Sequence, residues 1–299
     1  MKKPHTRLRV AALYALCCAI WGSTWLVIKI GLSDLPPFWF AGIRMGFACL
    51  VLTPLAWRAG LAKLSSADHL WIALCGFLQI GATYALVFEA EKTIDSGLTA
   101  VLFATFPIWL ALISHALLPE EPLTPTALLS AAIGFGGVIV LEWPAISAFV
   151  EKHGTAAALL PLAGAVLSAI SNVFMKKHLS AISPAANLWG QALVGSLFLL
   201  ALAAAVREPF PVAWSAKAIA CLLYLSLAGT VTAFLALFWL IPRISMSAVG
   251  AIPVIDTLVA VALGAVVLSE PLTGRFVAGA GLIVLAAGLA NRPAPAEAP

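Results

Sequence analysis

The word EPLT stands at residues 121–124 and again at 270–273, and each copy lies between two long apolar runs. A wider register surrounds it. Shifting the chain by 147 lays VIKIGLSDLPP (27–37) over FMKKHLSAISP (174–184), so that Lys29 meets Lys176, LS meets LS and Pro37 meets Pro184. Arg44 falls on Gln191 in the same register. At 148, GATYA (81–85) covers GTVTA (229–233), and at 149 the EPLT words coincide. One nearly constant offset from the first apolar run to the last reads as an internal duplication. EPLT itself reads as a helix start: Thr124 and Thr273 suit the N-cap of the next helix, and Pro125 suits its first position.

The composition says what was duplicated. Of 299 residues, 62% are hydrophobic and only 10% charged, where a soluble domain carries about 25% charged residues. The chain therefore reads as an integral membrane protein. Its net charge of +4 sits in short segments between apolar runs, which bears on topology and not on nucleic-acid binding. Cys17, Cys18, Cys49, Cys75 and Cys221 all fall inside apolar runs without metal-ligand spacing. They read as small packing residues, and no metal or cofactor is expected. The basic-then-apolar N-terminus resembles a secretory signal, but the run continues through Lys29 with no small-residue cleavage site. It reads as an uncleaved first span.

Crossing a bilayer takes about 20 mostly apolar residues in a helix. That ruler gives ten spans, near 9–31, 37–57, 68–90, 94–118, 125–142, 156–178, 184–206, 216–240, 244–268 and 274–290. With the N-terminus inside, the cytoplasmic segments hold Lys2, Lys3, Arg7, Arg9, Arg58, Lys63, Lys176, Lys177, Arg243 and Arg292. The outer segments hold Lys92, Lys152, Arg207, Lys217 and Arg275. This bias places both termini in the cytoplasm. The halves run over 1–145 and 155–292, with a Pro/Ala-rich tail at 293–299. Each half holds an odd number of spans, so the second enters from the opposite side. The expected fold is all-α, ten transmembrane helices as two inverted five-helix repeats around a central cavity.

AIWGSTWLVIKIGLSDLPPFWFAGIRMGFA (19–48) resembles the opening two helices of EamA-type proteins of the drug/metabolite transporter superfamily. FPIWLALISHALLPEEPLT (106–124) and IPVIDTLVAVALGAVVLSEPLT (252–273) are similar to that family's fourth and ninth helices. The resemblance implies a carrier, most often an exporter of amino acids and other small metabolites, with some members implicated in drug efflux and some in uptake. The localisation it implies is a bacterial inner membrane.

Which residues could meet a solute follows from helical spacing. Trp21, Thr24 and Trp25 lie at i, i+3 and i+4 on one face, and the 147 shift carries them to Ser168, Ser171 and Asn172. Two matched stripes of indole, hydroxyl and amide suit a solute with apolar and polar parts, and also suit helix packing. Charges within hydrocarbon mark pathways or buried pairs. Asp256 lies deepest, Arg44 is two turns into the second span, and Lys29 is near the outer end of the first. Asp256 either meets a cationic group of the solute, takes up a proton, or forms a static pair with Arg44 or Lys29. Gln79, Tyr84, Thr230, Thr232 and Gln191 are further candidates. Phe106 and Trp109 flank Pro107, read as a helix break and gate, as is Pro253.

The leading reading is a secondary active transporter, without ATP hydrolysis because no Walker motif is present. Export by alternating access leads, with uptake or exchange and a non-transporting scaffold subunit as alternatives. Its partners are the lipid bilayer and a small-molecule solute, with a proton gradient as one source of drive. No nucleic acid is expected, and monomer and homodimer both stay open. An enzyme is not expected, since HExxH, GxSxG and close acidic clusters are missing from the sequence.

Overall fold

The computed structural model describes residues 4–93, 99, 102–153, 159–210, 214–267 and 274–290. Every regular element among them is helical. In chain order these are α1 (Pro4–Leu32), α2 (Pro37–Arg58), α3 (Ser66–Thr93), α4 (Phe106–Leu117), α5 (Pro125–His153), α6 (Leu159–His178), α7 (Pro184–Ala205), α8 (Ala216–Leu240), α9 (Met246–Val267) and α10 (Gly274–Ala290). Six of them, α1, α2, α3, α6, α7 and α8, are long and apolar enough to cross a membrane. Shorter apolar stretches lie in α4, α5, α9 and α10. Large apolar side chains such as Leu50, Trp57, Leu70, Leu129, Leu197, Val277 and Val284 are exposed, as an outer surface in contact with lipid requires.

Local chemistry sets the helix starts. Ser65 and Asp68 form a reciprocal capping box at α3, with Ser65 accepting the Asp68 N–H at 3.2 Å and donating its own N–H to Asp68 at 2.9 Å. Thr124 of the first EPLT accepts the Ala127 N–H at 3.1 Å, with Pro125 at the head of α5. Thr273 of the second lies outside the described residues. Two helices borrow a remote carboxylate. Glu208 accepts the N–H groups of Phe38 and Trp39 at the start of α2, at 3.3 and 2.9 Å. Glu121 of EPLT accepts the Met246 N–H at the start of α9 and pairs with Lys176 from the last turn of α6. Each puts negative charge where the helix dipole is positive. Beyond α1, Asp34 meets Lys217 at 2.7 Å. Lys217, then Ser215 and Ser33, hold this carboxyl down at about 2.

Two expectations about helix breaks change. The span read as 94–118 does not run as one helix. A turn at Ala104 and Thr105 separates helical Leu102 and Phe103 from α4. Pro107 therefore sits in the first turn of α4, where its missing N–H costs nothing. Pro253, by contrast, lies inside an unbroken α9, and its carbonyl accepts the Thr257 hydroxyl at 2.9 Å.

Two helices carry a wider turn. Phe77–Ala82 of α3 and Leu225–Thr232 of α8 are π-helical, and a shift of 148 carries the first start onto the second. Such turns cluster at functional sites because they disturb the backbone ladder. In α8 the Leu225 carbonyl accepts both the Thr230 hydroxyl at 3.0 Å and Arg44 Nε at 3.2 Å. Elsewhere, the main packing pairs are α2 with α7 and α5 with α10. At Gly22, α1 crosses α9 so closely that a Cβ would lie 2.6 Å from the Asp256 carbonyl.

Candidate functional site

A cavity of about 780 Å³, mouth included, lies among α1, α2, α3, α4, α6, α8 and α9. Its wall is mostly aromatic. Trp21 meets Phe234 edge-on at 5.2 Å between centroids, Trp25 meets Phe103 at 5.9 Å, Phe103 stacks towards Phe106 at 6.1 Å, and Tyr84 stacks on Phe88 at 5.8 Å. Within this apolar shell stand a few polar groups from different helices, the pattern of a small-molecule site.

Arg44 of α2 is 1% exposed. Its Nε is spent on the Leu225 carbonyl and the Thr230 hydroxyl, the latter at 3.0 Å, and its guanidinium carbon lies 5.1 Å over the Tyr84 ring. Among the described residues nothing accepts from its two terminal nitrogens, so these donors remain available to a ligand. Asp256 of α9 is 4% exposed and, among the described residues, receives one long bond, from Trp25 Nε1 at 3.4 Å. It forms no ion pair with Arg44 or Lys29. An ionised carboxylate so enclosed is costly unless a cation meets it. On α3 and α6, Gln79 Oε1 accepts from Asn172 at 2.9 Å and from Ser168 at 3.1 Å. Asn172 Oδ1 is left buried without a partner among the described residues. The site thus offers donors at Arg44, an acid at Asp256 and an amide oxygen at Asn172, with aromatic rings around them.

A family model described as the EamA-like transporter family matches residues 9–143 and 155–292. The chain belongs to the EamA-like transporter family. It is 28% identical to the uncharacterized transporter YvbV of Bacillus subtilis, over 99% of this chain and 95% of that one. It is likewise 28% identical to the uncharacterized inner membrane transporter YedA of Escherichia coli K12, over 92% of this chain and 88% of that one. A crystal structure at 17% identity superposes with a TM-score of 0.77 and covers 94% of this chain and 96% of that one, which shows a shared fold. This EamA-like chain is therefore a multi-pass membrane transporter.

Of the residues singled out from the transporter's sequence, Trp21, Thr24, Trp25, Arg44, Gln79, Tyr84, Phe106, Ser168, Asn172, Pro253 and Asp256 lie on the cavity wall. Others lie elsewhere. Ser171 is buried against the Cys75 carbonyl at 3.2 Å, and Gln191 binds Asn187 at 2.8 Å. Thr230 sits behind Arg44, and Thr232 is exposed with its hydroxyl on the Leu227 carbonyl. Trp109 is partly exposed on α4, and Pro107 borders a second, smaller cavity among α4, α5, α9 and α10. Lys29 reaches α3, donating to the Glu91 carbonyl at 2.9 Å. The wall also includes Ile28, Thr83, Val87, Phe88, Phe103, Phe234, Leu237, Val249 and Ile252, which spacing alone did not select.

Proposed function

We propose that this transporter is a secondary carrier that exports amino acids or closely related small zwitterions across the cytoplasmic membrane by alternating access. The observation that carries the reading is the pairing of opposite charges without mutual contact. Arg44 and Asp256 line one cavity, each buried and neither bonded to the other. A solute carboxylate meets the terminal nitrogens of Arg44, a solute ammonium meets Asp256 and Asn172 Oδ1, and an apolar side chain fills the aromatic wall. The solute thereby supplies each charge with its partner.

The inverted-repeat reading belongs to the same proposal, with halves at 1–145 and 155–292 and both termini cytoplasmic. Its support is the symmetry of the packing. The contact of α1 with α9 has its counterpart in α6 with α4, and α1 with α8 in α6 with α3. Exchanging the halves maps α2–α7 and α5–α10 onto themselves, and carries the π-helical turn of α3 onto that of α8. Export as the direction rests on family likeness.

Counterflow in liposomes holding the purified chain tests the function. Vesicles preloaded with an unlabelled L-amino-acid mixture should transiently accumulate the labelled mixture, and simple amines or simple carboxylic acids should compete poorly. Equal competition by molecules lacking either charge would remove the two-ended site. A rate that does not saturate would favour a pore.

A further inference from the structure

A second buried acid lies off the cavity wall. Glu91, near the end of α3, is 1% exposed, and among the described residues neither carboxyl oxygen has a hydrogen-bond partner. A carboxylate buried without donors is far costlier than a neutral carboxyl in the same place. The charged side chain acting on it is Lys29 of α1. That ammonium donates to the backbone carbonyl of Glu91 itself at 2.9 Å, so the carboxyl lies within a side-chain rotation of it.

Among the described residues, the other charged groups nearby are already engaged or lie elsewhere. Glu89 and Lys92 on the same helix pair with each other at 3.0 Å, both well exposed. Neighbouring Ala90 belongs to an apolar cluster with Ala104, Val138 of α5, Val254 of α9 and Ile283 of α10. Arg44 of α2 is held at Leu225 and Thr230, and the titratable groups of α6 lie in its last turn, at Lys176, Lys177 and His178.

We infer that Glu91 is a proton-binding site that couples this carrier to a proton gradient. In the state described, the carboxyl is neutral and the Lys29 ammonium rests on the Glu91 carbonyl. Loss of the proton creates a carboxylate that draws the ammonium across. Lys29 lies one turn from Trp25 on the same face of α1, and Trp25 holds Asp256. Proton release at Glu91 therefore pulls on the helix that grips the solute-binding acid. The site deepens the carrier reading and rests on it, but it is separate from the solute-binding residues.

The test compares wild type, Glu91→Gln and Glu91→Asp in proteoliposomes with a ¹⁴C-labelled L-amino-acid mixture. Glu91→Gln should keep counterflow at equal pH on both sides, yet lose accumulation driven by a pH difference by about tenfold or more, along with solute-driven proton flux. Glu91→Asp should retain both. Undiminished pH-driven accumulation in Glu91→Gln overturns the assignment, as does wild type that counterflows but ignores a pH difference, with the carrier reading left standing. An infrared titration of the purified protein needs no solute. The protonated-carboxyl absorbance that fades as pH rises should lose one component in Glu91→Gln and a different component in Asp256→Asn, and a spectrum unchanged in Glu91→Gln overturns the proposal.

Discussion

Asp256 and Arg44 are arranged to be incomplete. Trp25 gives the acid one bond of 3.4 Å, and Thr230 and Leu225 fix the guanidinium through Nε alone. Removing one partner of a desolvated charged contact costs about 2–5 kcal/mol. Asp256→Asn should therefore weaken half-saturation for ammonium-bearing solutes by roughly tenfold or more, and Arg44→Lys should do the same for carboxylate-bearing ones, because lysine cannot reproduce the planar fork. Counterflow titrations would read both, and unchanged half-saturation would exclude direct contact. The stripe Trp21–Thr24–Trp25 and its counterparts Ser168 and Asn172 could be picked out in the sequence because polar groups at helical spacing stand out in an apolar run. Phe103, Phe234 and Ile252 could not, because an apolar residue facing a cavity looks like one facing lipid. Thr232 shows a third limit: the π-helical turn at Leu225–Thr232 alters the angle per residue, so faces counted at 3.6 residues per turn drift out of phase.

Among the elements, Glu121 has the largest structural task that spacing did not show. It ties the turn after α4 to Lys176 on α6 and to the Met246 N–H at the head of α9, while Lys176 also donates to the Ile244 carbonyl at 3.0 Å. Glu121→Ala should destabilise the protein by about 1–3 kcal/mol and loosen α9, which carries Asp256. A lowered thermal midpoint in detergent would report it, and an unchanged midpoint would mean that the link is spent on solvent-like contacts. Gly22 makes a sharper case. A side chain there meets the α9 backbone at 2.6 Å, so Gly22→Val should separate Trp25 from Asp256 and abolish counterflow even where the protein still inserts. The helix positions themselves were readable from apolar length and from caps such as Thr124. The break before α4 was misplaced, because Pro107 was read as interrupting a helix when it begins one.

At the scale of the molecule, α1 and α6 make matching contacts, α1 with the π-turned α8 and with α9, and α6 with the π-turned α3 and with α4. That equivalence was legible in the near-constant register of 147–149. The cavity's chemistry was not, since Arg44 lines the cavity while its register mate Gln191 is a packing amide. The inverted arrangement predicts that single cysteines at Arg7 and Ala290 react with an impermeant maleimide from the same side of the membrane. The account's central claim is one solute site served alternately from both sides. A cysteine at Thr24, in a background with the five native cysteines replaced, tests it most directly. Impermeant maleimide should modify it from either face of oriented vesicles, with the transported amino-acid mixture protecting it from both. Modification from one face only, in every pH and solute condition, would contradict alternating access.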